Sequence, residues 1–219
     1  MKVLTAGEAE GRLFRVVEKT GDGSRLYYEG GVLYTHVDRS GANVLGYVSA
    51  IAAELGEPAS LLLLGTAGGA LATHFSRRGA RVTAVDNWQT AFDIARRWFH
   101  LPANVECMKA DAVEFLRSTS AQWDAIAVDV YLGAEIPASL LAADIGSLLA
   151  KALRRGGVIV WNIADGPGSP SFKWIWRTLR CSGMNPMMVS VLNADVGNAL
   201  IVCRDETDRG PPDARPLLS

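Results

Sequence analysis

The sequence predicts an α/β fold: a doubly wound, seven-stranded sheet whose last strands pair antiparallel, preceded by a small amino-terminal β ribbon. Three observations carry this. From Ser60 onward, short apolar runs alternate with helical segments. Those runs lack the polar alternation of a half-exposed strand, so both of their faces are buried, as in a parallel sheet covered by helices. The last two runs, "PMMVSVLN" and "NALIVCR", are separated only by "ADVG". That is far too short for the crossover a parallel return needs.

Taken in order, the chain opens on a loose segment and then a β ribbon from Leu13 to Asp38. Its two β-rich runs flank Gly30-Gly31, and a Gly-Gly pair suits a hairpin because both positions accept positive φ. "ANVLGYVSAIAAELGEP" has apolar residues at helical spacing and a Gly-Glu-Pro stop. Five strands follow, "SLLLLG", "RVTAVD", "VECMKA", "WDAIAVDV" and "GVIVWNI". Between them lie the helices "GALATHFSRRG", "QTAFDIARRWFH", "AVEFLRS" and "LLAADIGSLLAKALRRGG". A further helix, "SPSFKWIWRTLRCSG", leads to the antiparallel pair. The predicted organisation is a hairpin region at 1–40, a Rossmann-like nucleoside-binding domain at 41–204 and a charged, proline-rich tail at 205–219 expected to be disordered.

With 219 residues, 49% of them apolar, the chain can bury a core without disulfide or metal. A net charge of -1 speaks against a nucleic-acid footprint or a polybasic membrane patch. Cys107, Cys181 and Cys203 show neither zinc nor redox spacing, and the three histidines do not cluster, so no metal is expected. With no apolar run of membrane-spanning length and no signal-peptide core, a soluble cytoplasmic protein is expected.

In an open α/β sheet, ligands sit beyond the carboxyl ends of the strands. There the sequence places the turn Gly65 to Gly69, then Asp86, Asp111 and Asp129, each ending a strand. The turn "GTAGG" lets backbone approach a ligand closely, but it is neither a P-loop nor a clean dinucleotide fingerprint. By itself it is equally a tight packing turn. Asp86, about 20 residues further on, stands where an acid accepts hydrogen bonds from both ribose hydroxyls. Asp111, with Ala112, closes the third strand, where it can meet an adenine amino group or cap the next helix. Glycines with two acids and no phosphate-binding motif fit an adenosyl ligand without phosphate, such as S-adenosylmethionine or its decarboxylated form. Asp129 is the candidate general base towards an amine. Tyr131 and Glu135 are the other polar groups near it, Tyr131 as a possible adenosine contact.

The sequence resembles the spermidine synthase-like aminopropyltransferases, with a class I methyltransferase-like fold, from about Leu13 to Ile163. The likeness rests on "YYEGGVLYTHVD", "LLLLGTAGGALATHF", "VTAVDNWQTAFDIARRWFHLP", "MKADAVEFL" and the run from "WDAIAVD" to "GGVIVWNI". It implies that Asp86, with Asn87 beside it, binds ribose, that Asp111 and Ala112 meet adenine, and that Gly65, Ala67, Gly68 and Gly69 wrap the methionine-derived part. It further implies a small-molecule acceptor, Asp129 beside the reacting centre, and a homodimer formed through the ribbon. The chain departs from the family pattern at Gly68, where relatives keep an acid. It also departs at Leu132, in place of a second acid, and at "GANVLGYVSA", which lacks a Tyr-His-Glu stretch. The reading is therefore a transferase of an aminopropyl or related group with a divergent acceptor site. A small-molecule methyltransferase using S-adenosylmethionine and a non-catalytic nucleoside-binding protein are the alternatives.

Overall fold

The computed structural model describes residues 1–191 and 197–205. The tail from residue 206 on, and most of the "ADVG" turn, lie outside the described residues. Four amino-terminal strands, β1 (Lys2–Ala9), β2 (Arg12–Glu18), β3 (Arg25–Glu29) and β4 (Val32–Val37), form an antiparallel sheet in the order β1-β2-β3-β4. The hairpin expected at Gly30-Gly31 is present, with φ of +52° and +89°. The opening segment, expected to be loose, is instead a strand. It turns through Glu10 and Gly11, both at positive φ, and pairs with β2. The sequence hid this because Glu10 is not a usual residue for left-handed backbone and "KVLTAGEA" alternates only weakly.

The second sheet has seven strands in the order β10-β11-β9-β8-β5-β6-β7. They are β5 (Ser60–Leu64), β6 (Arg81–Asp86), β7 (Glu106–Lys109), β8 (Trp123–Val128), β9 (Leu153–Ile163), β10 (Pro186–Ser190) and β11 (Ala199–Arg204). β5 to β9 are mutually parallel, and β11 inserts antiparallel between β9 and β10. The order reverses at β5, whose neighbours β6 and β8 lead away in opposite directions, so β5 is the switch point where a ligand crevice belongs.

The run "LLLL" shows why β5 is central. Leu62 and Leu64 enter one apolar core with α4 (Ala112–Ser118), α5 (Ile145–Ala152) and α6 (Pro170–Cys181). Leu61 and Leu63 enter another with α1 (Gly46–Leu55), α2 (Ala70–Ser76) and α3 (Gln89–Trp98). Alternate residues of a strand face opposite ways, and none of the four is more than 2% exposed. Each such burial contributes about 1.5–3 kcal/mol before entropy is counted. A third cluster joins the two sheets: Val16, Tyr27 and Val37 pack on Ala91, Ile94 and Phe99 and on Trp88 just before α3. That contact brings the amino-terminal sheet to the carboxyl end of β6.

The long helix predicted over 140–157 is shorter. A 3-10 turn covers Ala138–Leu141, α5 occupies Ile145–Ala152, and Leu153 already belongs to β9. Leu153 pairs with Trp123 across the sheet, and the bulge that follows brings Gly157 against β8. A Cβ on Gly157 would meet the Asp124 carbonyl at 2.8 Å. Strand pairing thus takes residues whose spacing alone reads as helix.

Candidate functional site

The carboxyl ends of β5, β6 and β8 and the start of α4 surround one cleft of about 100 Å³. Of the residues expected to bind a nucleoside, Gly65, Ala67, Asp86, Asn87, Asp111, Ala112, Asp129 and Tyr131 line it. Gly68 and Gly69 do not. The Gly68 N–H donates to Thr35 Oγ1 at 2.9 Å, and a Cβ there would meet that side chain at 2.8 Å. Gly69, at φ +73°, begins α2 packed on Leu101 and Ala95. Both glycines serve the joint between turn, β4 and α3, where any side chain would push the sheets apart.

Gly65 stands at φ +87°, and a Cβ on it would overlap the carbonyl oxygen of Asp129. The close approach of the β5 turn to the end of β8 therefore depends on the missing side chain. Gly65→Ala combines a steric clash with unfavourable backbone and is expected to cost about 2–4 kcal/mol. Urea unfolding of the two proteins checks this, and equal midpoints would contradict it.

Asp86 ends β6 with both carboxylate oxygens engaged. Oδ2 accepts from the Thr66 N–H at 2.9 Å and Oδ1 from the Trp88 N–H at 3.0 Å. Burial pushes its pKa up, opposed by these backbone hydrogen bonds and by Arg12. The acid thus clamps the glycine turn while leaving lone pairs towards the cleft. Beside it, Asn87 Oδ1 accepts from Arg12 Nη2 at 2.9 Å, and the Arg12 guanidinium lies 5.4 Å from the centre of the Trp88 ring.

Asp111 is the cap of α4. Its Oδ1 accepts from the Val113 and Glu114 N–H groups at 2.8 and 3.1 Å, while Oδ2 accepts from Ser139 at 3.3 Å. The capping role read as one option from sequence is present, and the side chain still lines the cleft.

Asp129 follows β8. Its carboxylate borders the cleft, and burial raises its pKa against the opposing pull of an Asn162 hydrogen bond of 2.8 Å. Asn162 Oδ1 in turn accepts from Asn198 Nδ2 at 2.8 Å, both amides being buried. Tyr131 donates to the Asn162 carbonyl at 3.0 Å and accepts from the Ala164 N–H at 2.7 Å. Its phenol is occupied by β9 and the loop beyond it. Glu135 is exposed, does not line the cleft, and bridges to Leu132 through backbone.

Among the lining residues that went unread in the sequence, three come from the first sheet. Arg12 from β2, Glu29 from β3 and Tyr34 from β4 reach the cleft only because the first sheet packs on Trp88 and α3. Glu29 Oε1 accepts from Tyr27 at 2.6 Å; burial raises its pKa, partly offset by that bond and by Arg12. Tyr34 donates to the Gly133 carbonyl at 3.0 Å and so ties the first sheet to the segment after β8. Four carboxyl groups, Glu29, Asp86, Asp111 and Asp129, face one guanidinium in this cleft, a balance suited to a ligand bearing positive charge. Thr66, another wall residue, is 6% exposed, and its hydroxyl has no hydrogen-bond partner among the described residues. Among those residues no three His, Cys, Asp or Glu side chains gather as metal ligands would.

No protein-family profile matches the chain. A probable polyamine aminopropyl transferase of Bifidobacterium longum is 30% identical over 115 residues, which are 50% of this chain and 26% of that protein. The match thus spans about a quarter of that relative's length. A probable spermidine synthase from Corynebacterium glutamicum superposes with a TM-score of 0.78 at 20% identity, over 94% of this chain and 81% of its own. A spermidine synthase in complex with the transition-state analogue AdoDATO gives 0.73 at 14% identity, over 94% and 75%. The chain has the fold of these spermidine synthases, and across those 115 residues its sequence is similar to that of the polyamine aminopropyl transferase.

Proposed function

We propose that the protein is a transferase that binds S-adenosylmethionine or its decarboxylated form as co-substrate and moves an aminopropyl or related group to a small acceptor. One observation carries this reading: Gly65, Asp86, Asp111 and Asp129, far apart in sequence, line a single cleft at the sheet's switch point. In this assignment Asp86 and Asn87 hold the ribose, Asp111 and Ala112 the adenine edge, and Gly65 and Ala67 the chain beyond the sulfur. Asp129, raised in pKa by burial, takes the proton from the attacking amine. Asn162 holds that carboxylate in place. The acceptor site is divergent, because the positions expected to carry further acids hold Gly68 and Leu132.

The cleft as it stands is tighter than the roughly 300–1,000 Å³ of common small-molecule sites. Its wall includes Leu132, an exposed residue of the segment held by Tyr34. Cytoplasmic location and a homodimer belong to the same proposal, and light scattering reads the latter. Isothermal calorimetry with S-adenosylmethionine, decarboxylated S-adenosylmethionine and methylthioadenosine is expected to show binding. Absence of heat from all three on folded protein overturns the reading.

A second reading is methyl transfer to a small molecule on the same scaffold. Its support is Gly68, whose N–H and Cα face Thr35, leaving no carboxylate in the turn to meet a donor ammonium group. Donors labelled on the methyl or on the aminopropyl carbons separate the two by which label reaches the acceptor.

A further inference from the structure

A second pocket, of about 420 Å³, opens between α1, α2 and the loop around Asn43, away from the cleft. Val48, Ala52, Ala70 and Leu71 give it an apolar wall, and the small alanines leave the space that larger side chains would close. Its rim is cationic. His74, Arg77 and Arg78, on α2 and just beyond it, are joined by Ser49 and by a single carboxylate, Glu57.

The rim is underused by the fold. Arg77 gives one N–H to the Ser40 carbonyl at 3.2 Å, and Arg78 gives Nη1 to His74 Nδ1 and to the His74 carbonyl, each at 3.1 Å. Neither guanidinium has a carboxylate within 4.0 Å among the described residues. A guanidinium has only donors, so His74 Nδ1 accepts and Nε2 keeps the ring hydrogen as a further donor. Burial and Arg78 both lower the His74 pKa, which favours that neutral, donating ring. Thr73, also on the wall, is 1% exposed, and its hydroxyl has no partner among the described residues. Arginines near the last carbonyls of a helix are ordinary. That reason accounts neither for a buried hydroxyl without a partner nor for an alanine-lined space under two cations that lack a counter-charge.

We propose that this pocket binds an organic anion, a phosphate or carboxylate head group on a small apolar body. The head group sits on Arg77, Arg78 and His74 Nε2, where charge-assisted and bidentate hydrogen bonds are available; the body lies over Ala52 and Leu71. The proposal is independent of the nucleoside reading, since none of these residues lines the cleft.

The test uses the full chain in a phosphate-free buffer with phenyl phosphate, phenylacetate and the neutral benzyl alcohol as probes. The histidine ring signals in NMR and the heat of mixing are the readouts. At least one anion is expected to shift the His74 signals and release heat, and the alcohol to do neither; which anion binds more tightly tells phosphate from carboxylate. Arg77→Ala with Arg78→Ala should weaken binding at least about tenfold, with methylthioadenosine binding unchanged. Glu57→Gln, at an exposed position, should tighten it, and decides the matter if the double variant does not fold. No shift with either anion, equal binding of the alcohol, or unchanged affinity in a folded double variant overturns the proposal, as does a Glu57→Gln protein that binds no more tightly.

Discussion

Replacing Asp86 by asparagine is expected to weaken nucleoside binding by about a hundredfold or more, with a fall in melting temperature alongside. In the proposed assignment the carboxylate accepts from two ribose hydroxyls, and each such hydrogen bond is worth about 1.5–3 kcal/mol. The stability loss has a separate cause. Asp86 accepts from the Thr66 and Trp88 N–H groups on different oxygens. An amide has one oxygen, so one of those N–H groups then faces an N–H₂ and goes unpaired, at about 1–3 kcal/mol. Calorimetry with methylthioadenosine and thermal unfolding read the two effects apart. Unaltered affinity in folded Asp86→Asn protein would remove the ribose assignment, whatever happens to the melting temperature.

Asp129→Asn has the opposite signature. Turnover with an amine acceptor is expected to fall by about 10²–10⁴, the range of a lost general base, while nucleoside affinity stays close to that of the parent. Stability without ligand should rise at neutral pH. Burial raises the pKa of Asp129 in the folded chain above its unfolded value, so folding favours the protonated form. The stability this group contributes is complete below the unfolded carboxylate range, near pH 4, and is lost as pH rises through the raised folded value. Asparagine has no charge to bury, and its advantage in melting temperature should appear above that raised pKa and fade in acid. In the proposed reaction the rate of the parent protein should show an acid limb above the usual carboxylate range, since only ionised Asp129 would accept a proton. A variant that retains turnover, or whose melting temperature stays below the parent's at pH 8, would contradict this account.

The two aspartates differ in what surrounds them, and this difference was not legible in the chain. Both end strands in near-identical contexts, "VTAVD" and "AIAVD". Asp86 collects one backbone donor from the glycine turn that folds back onto it and a second from Trp88, two residues further on. Asp129 receives a single side-chain amide from Asn162, which itself rests on Asn198, 36 residues beyond it. Asp111 could be read either way; the structure shows the cap, one oxygen holding the start of α4 and the other facing Ser139 at the cleft. Gly68 shows the reverse case. As a letter it belongs to the glycine turn, yet its surroundings are Thr35 on another sheet.

Apart from β1 and the start of β9, strand identity was readable, as were the parallel core and the strand-end acids, because they follow from local order. A buried strand must be apolar on both faces, a βα turn needs glycine, and polar groups survive only where the strands end. Alternation of Leu61 to Leu64 between two cores is the same rule seen in space. Arg12, Glu29 and Tyr34 had no such signal. Nothing in a solvent-facing β ribbon distinguishes a charge that points to water from one that points across an interface. Their place in the cleft depends on Val16, Tyr27 and Val37 docking against Trp88 and α3. That docking is a non-local hydrophobic contact, proportional to area and blind to sequence spacing, and it sets which charges share a cleft and that Gly68 only packs.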